Sequence, residues 1–173
     1  MSIKNYKLWI FAVIVVLVVI SYLNFYYNQK KEFKLITNDE ELASFMQNME
    51  EGDLEEYLAK KDELYAQDIY GGETPEETLT LFIDALKAGD VELASKYFKL
   101  EDQERELDRL NNLDEDNIKN YIEFSNSNER MVFCNEENDN CDIDIKFDGD
   151  NVSVARFILN KETNKWKMES LQR

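Results

Sequence analysis

The stretch TPEETLTLFIDALKAGDVELASKYF, Thr74 to Phe98, decides the first half of the fold. Thr74 suits a helix N-cap, Pro75 the first helical position, and Glu77 the returning partner of a capping box. Leu79, Phe82, Ile83 and Leu86 then recur at the spacing of one helical face. Gly89 ends this helix, because glycine alone takes positive φ without penalty. Asp90 opens a second helix carrying Leu93, Ala94, Tyr97 and Phe98.

Working outward toward the C-terminus, helical spacing persists from Glu101 to Phe124, with Leu107, Leu110 and Leu113 inward and Asp114 capping a last turn that carries Ile118, Tyr121 and Ile122. After Ser125 the period becomes two. Cys141, Ile143, Ile145 and Phe147 alternate with Asp142, Asp144, Lys146 and Asp148, the pattern of a half-buried strand. Asp148 to Asn151 and Asn160 to Asn164 read as turns around a strand from Val152 to Leu159. Trp166 and Met168 mark one face of a final strand, and Arg130 to Cys134 supplies the first. Helices followed by a four-stranded antiparallel meander specify an α+β domain with helices on one sheet face.

Toward the N-terminus the pattern weakens. Thr37-Asn38-Asp39 caps a helix starting near Glu40, with Leu42, Phe45, Met46 and Met49 on one face. Gly52-Asp53 interrupts it, and Leu54, Tyr57, Leu58, Leu64 and Tyr65 form a less regular second stripe up to Ile69-Tyr70-Gly71-Gly72. Residues 28–72 are therefore expected to be a helical spacer leaning on a domain at 73–173. No heptad lasts long enough for a coiled-coil stalk.

The stretch Thr74 to Phe98, with the closing NKWKM of Asn164 to Met168, resembles the nuclear transport factor 2-like superfamily, most of all its small bacterial, membrane-attached members. The resemblance covers about Thr74 to Arg173. It implies a cystatin-like, conical fold: a curved sheet wrapped around a long helix, leaving a pocket. Its members include isomerases and dehydratases, and also many non-catalytic binding and dimerisation domains. This sequence departs from the pattern twice. Glu101 to Phe124 reads as helix where the superfamily often has strands, and no pocket motif of Asp, His or Tyr can be matched.

The start of the chain is of another kind. Leu8 to Leu23 is 16 residues without a charge, preceded by Lys4 and Lys7. Extended to Tyr27 the run spans about 30 Å, the thickness of a bilayer's hydrocarbon core. Trp9 would mark one interface and Tyr22, Phe25, Tyr26 and Tyr27 the other. The expected layout is a short cytoplasmic head (1–7), a transmembrane signal anchor (8–27) bounded by Leu8, Trp9, Leu23, Tyr26 and Tyr27, and an extracytoplasmic remainder. A cleaved signal peptide shares the basic start, but Val19-Ile20-Ser21 offers no small-residue cleavage site. Lys30, Lys31 and Lys34 nearly balance the lysines before the run, so orientation rests on the brevity of the head.

Composition narrows the chemistry. Net charge is −17, and Lys4 and Lys7 are the only charged side chains before residue 28, so the remainder carries −19. Phosphate backbones and anionic lipid surfaces repel such a domain, and no nucleic-acid partner is expected. The chain holds no histidine and two cysteines. That excludes Ser-His-Asp and Cys-His catalysis and ordinary zinc sites. No cofactor, metal or catalytic residue is assigned. Cys134 and Cys141 flank a six-residue loop between strands, where an exported protein would form a disulfide; free buried thiols and redox or metal work are the alternatives. The oxygen-rich loop Asn135 to Asp144 lacks the glycine and glutamate spacing of a calcium loop. Asn151-Val152-Ser153 matches a glycosylation sequon relevant to a eukaryotic secretory route. Asp84, Tyr97, Tyr121 and Glu123 are the residues that a carboxylate–tyrosine enzyme would need. The expected function is non-catalytic: a membrane-anchored domain presenting a pocket or sheet face to an envelope protein or small ligand. The alternatives are a histidine-free pocket enzyme and a structural homodimer.

Overall fold

Four antiparallel strands form one meander, in the order of the chain: β1 (Arg130–Cys134), β2 (Asn140–Phe147), β3 (Asp150–Asn160) and β4 (Lys165–Leu171). The computed structural model describes residues 13, 15–22, 33–125, 130–147 and 149–171, in two units, Met1–Lys34 and Leu35–Arg173. In the first unit residues 15–22 are helical with exposed side chains. Among the described residues no helix is long and apolar enough to cross a membrane. The expected anchor positions Leu8, Trp9, Leu23, Tyr26 and Tyr27 lie outside the described residues.

The second unit is α+β, with six helices among its described residues preceding the sheet: α1 (Asp39–Asn48), α2 (Asp53–Gln67), α3 (Pro75–Lys87), α4 (Val91–Lys96), α5 (Gln103–Asn111) and α6 (Glu115–Ser125). A 3-10 turn, Leu100–Asp102, precedes α5. The expected continuous helix from Glu101 to Phe124 is broken at Asn112–Asp114, where Asp114 Oδ1 accepts the Asn117 N–H at 2.8 Å and starts α6 afresh.

Helix α3 forms as its sequence dictates. Thr74 Oγ1 accepts the Glu77 N–H, with Pro75 at the first position. The Glu77 carboxylate reaches the N–H of Glu73 rather than that of Thr74, one residue further out than an ordinary capping box. At the other end Asp90 N–H bonds Ala85 O and Gly89 N–H bonds Leu86 O, with Gly89 at φ 73°. Those two bonds make a Schellman motif that satisfies carbonyls the helix cannot reach itself.

The core lies between α3 and the inner face of the sheet. Leu79, Phe82 and Ile83 meet Ile143, Ile145, Phe157 and Met168, with Phe98 edge-on to Phe82 at 5.6 Å between ring centres. Helix α6 packs on α3 and adds Tyr121 and Ile122 to the margin of the core. The register pairs Cys134 with Cys141 and Ile143 with Ala155. Two irregularities bend the sheet, between Ile143 and Asp144 and between Arg156 and Phe157. Extra residues of this kind raise local twist and curvature.

Gly71 and Gly72 bring the chain against β4. Trp166 N–H bonds Gly72 O at 3.0 Å, and Thr78 Oγ1 accepts from Gly72 N–H and donates to Trp166 O. A Cβ on Gly71, whose φ is 124°, would lie 2.3 Å from Trp166 O, and one on Gly72 would lie 2.6 Å from Glu77 Cβ. Only glycine fits at either position.

Candidate functional site

The strongest concentration of charge is where the end of α2 meets β4. Lys167 alternates with Trp166 and Met168 and so points to the sheet face opposite the core, yet its side chain is only 2% exposed. Asp68, just past α2, covers it at 2.7 Å and is itself 3% exposed. The other two Nζ protons go to Lys96 O at 2.6 Å and Tyr70 O at 3.1 Å. Asp68 also accepts from Tyr70 N–H and Gln103 Nε2. Burial pulls the Lys167 amine below its ordinary range, and the Asp68 charge partly restores it. With all three protons committed, this lysine is a clasp and has no lone pair to offer as a base or nucleophile.

Beside it, Tyr65 O–H donates to Glu101, which also pairs with Lys61 Nζ at 2.9 Å. Asn160 Nδ2 donates to Tyr65 O at 2.9 Å. Burial, then the hydrogen bond to Glu101, pushes the Tyr65 phenol far above its usual range. Burial alone would raise the Glu101 carboxyl, but the bonds from Tyr65 and Lys61 outweigh it and hold it low. This is a carboxylate within reach of a tyrosine, and its shifts run away from neutrality on both sides. Neither group exchanges a proton near pH 7, as an acid–base pair must.

A further chain of charges follows α5. Asp102 pairs with Lys99 and Arg105, Glu106 with Arg105 and Arg109, and Arg109 Nη1 donates to Tyr121 Oη at 3.3 Å. It ties α5 to α6. Arg109 Nη2 is buried there without a partner.

The four residues weighed for catalysis do not assemble into a site. Asp84 is exposed and faces Lys87 at 3.5 Å; Glu123 is exposed and faces Lys119 at 3.8 Å. Tyr97 is buried in the core, and burial followed by the Asp90 charge raises its phenol. Tyr121 is held by Arg109, its ring 5.8 Å below the guanidinium. Tyr65, Asp68, Glu101 and Lys167, which carry the real polar network, were not singled out from the sequence. Lys167 alternates like any solvent-facing lysine, and only knowing what covers that face distinguishes it.

Cys134 and Cys141 form a disulfide across directly opposed positions of β1 and β2. Cys141 is buried and Cys134 exposed, so the bond pins the core end of β2 to an edge strand. In the adjoining loop Asn135 Oδ1 accepts from the N–H groups of Asp139 and Asn140, and its amide donates to Asp139. Asp139 pairs with Lys161 at 2.6 Å and Asp142 with Arg156 at 2.9 Å. The bonds from Lys161 and Asn135 hold the Asp139 carboxyl below its usual range. Among the described residues no group of three Cys, Asp or Glu side chains is placed to hold a metal ion. Asn151 of the sequon is exposed in β3.

Large apolar side chains at the surface of the second unit form three further features, the first being Ile69 and Tyr70 just past α2. Phe133 stands 53% exposed on the outer sheet face, opposite Asp142. The third is the hairpin of α1 and α2, neither of which buries a single residue. Comparison with known protein families, curated proteins and solved structures finds no match.

Proposed function

We propose that this chain is a non-catalytic binding module, tethered to a membrane by residues 8–27 and working outside the cytoplasm. The observation that carries the reading is the fate of the buried charges. Asp68, Asp102, Glu106 and Lys167 each have an ion-pair partner within the domain. Their chemistry is spent inside the fold, Asp68 and Lys167 holding the end of α2 to β4 and Asp102 and Glu106 serving the chain of charges along α5, and apolar side chains are what the surface offers. The Cys134–Cys141 disulfide supports export, since such bonds persist in oxidising compartments. The helix pair before a curved meander supports the nuclear transport factor 2-like reading, whose members include binding domains of this kind.

The test has two arms. A reporter active only outside the cytoplasm, fused after Arg173, should give signal in the native membrane; activity of a cytoplasm-only reporter in its place would overturn the tether and its direction. Photo-crosslinkers placed at exposed positions of the domain should give discrete protein adducts. Failure at every surface tested would overturn the binding role.

A further inference from the structure

We infer that the α1–α2 hairpin is the docking surface, and that its occupant is a basic, amphipathic helical segment of a partner protein. This goes beyond the pocket or sheet face expected from the sequence, and it rests on the reading of the chain as a binding module. Leu42, Met46 and Met49 on α1 and Leu54 and Leu58 on α2 are 38–51% exposed. They remain so although the helices meet at Phe45 against Tyr57, 5.2 Å apart, and Ile36 N–H, ahead of α1, bonds Tyr57 Oη at 3.1 Å. From Lys61 onward α2 is fixed to the rest of the domain by the Lys61–Glu101 pair and by the hydrogen bonds of Tyr65 with Glu101 and Asn160. The apolar stripe upstream is thus presented and left uncovered. Unbranched methionines suit such a face, because they repack around varied partners.

Charge selects the occupant. Residues 39–58 contain eight acidic side chains and no lysine or arginine. Six of the eight lie in the first turns of α1 and α2, where the helix dipole favours them; Glu50 and Glu51 lie between the helices. In the chain they flank the stripe residues of both helices, an acidic rim in sequence. A second copy would bring two such rims together, and an anionic bilayer would repel them. A helix with leucine-like residues on one side and lysine or arginine on the other meets both the stripe and the rim, as in helix-in-groove recognition.

The full chain, reconstituted in zwitterionic nanodiscs, is titrated with a labelled 14-residue leucine/lysine amphipathic helix peptide. Controls are a scrambled peptide of the same composition, its leucine/glutamate counterpart, and empty discs. The expected result is saturable binding at least tenfold tighter than the scramble, weakened by salt, and weakened at least tenfold by Met46→Lys or Leu58→Lys with no change in melting temperature. Equal binding of the scramble, or binding unchanged in both variants, overturns the inference. So does a concentration-dependent dimer, or partitioning onto added vesicles, that Leu58→Lys abolishes. Photo-crosslinkers at Leu58 and Phe133 in the native membrane separate the two levels. Adducts from Phe133 alone overturn the hairpin site and leave the binding role standing; adducts from neither position also overturn the hairpin site, and the role falls with it if every other exposed position fails too.

Discussion

Helices α1 and α3 carry apolar residues at the same helical spacing, yet α3 buries seven residues and α1 none. Both have a side-chain cap at the start, Asn38 for α1 and Thr74 for α3. In both, a glutamate three residues past the cap returns to the backbone N–H just before it, Glu41 to Thr37 and Glu77 to Glu73. Local sequence writes the two helices almost identically. What differs is the partner: a sheet covers α3, while α1 meets α2 through one ring pair. An amphipathic period therefore predicts that a face exists and leaves open what will cover it.

That contrast breaks down if substitutions on the two faces cost the same. Phe82→Ala, in a fully buried position, should cost about 3–5 kcal/mol in urea unfolding, whereas Leu58→Ala should cost about 0.5 kcal/mol or less. Comparable losses would mean the hairpin face is covered after all. The clasp between the two regions comes next. Lys167→Met leaves Asp68 buried and unpaired and should cost about 3 kcal/mol. Adding Asp68→Asn should recover part of that loss; an additive double variant would show that the pair does not act as a unit.

Much of this contrast was legible in residues with local signatures. The Pro75 start, the Gly89 stop and the alternation from Cys141 to Ile145 each fix structure through near neighbours, and β1 has the bounds its sequence suggests. The Cys134–Cys141 pairing followed from loop length and strand register. The clasp did not, because Asp68 and Lys167 lie 99 positions apart and neither is unusual among its neighbours. The Asp114 cap was legible as well, but the extent of the break at Asn112–Asp114 was not, because apolar spacing continues on both sides. The candidate site was the least legible part, since exposure is a property of what is missing from a surface.

The disulfide sharpens the comparison at the sheet edge. Reducing it, or Cys134→Ser with Cys141→Ser, should lower stability by about 2–3 kcal/mol in the chain-entropy account. Melting with and without reductant measures it, and Lys161–Asp139 should persist in the reduced protein. The smallest effect concerns pH. Glu101 has a folded pKa below its unfolded value of about 4.5, so its contribution is present above that value and lost as pH falls through the lower folded one. Glu101→Gln should cost about 1 kcal/mol at neutral pH and flatten the acid limb of the stability curve. An unchanged acid limb would place the carboxyl outside the network.

The position of the clasp has a mechanical consequence. Tension entering the domain from its N-terminal side meets α1 and α2 first, and these have no core of their own. Each residue drawn out of a helix lengthens from about 1.5 Å to about 3.4 Å. The hairpin would thus extend before the sheet, and the Lys61–Glu101 pair would resist at its far end. Extension would spread Phe45 from Tyr57 and divide the apolar stripe while the sheet stayed intact, so a pull on the chain and an occupant of the hairpin would oppose one another.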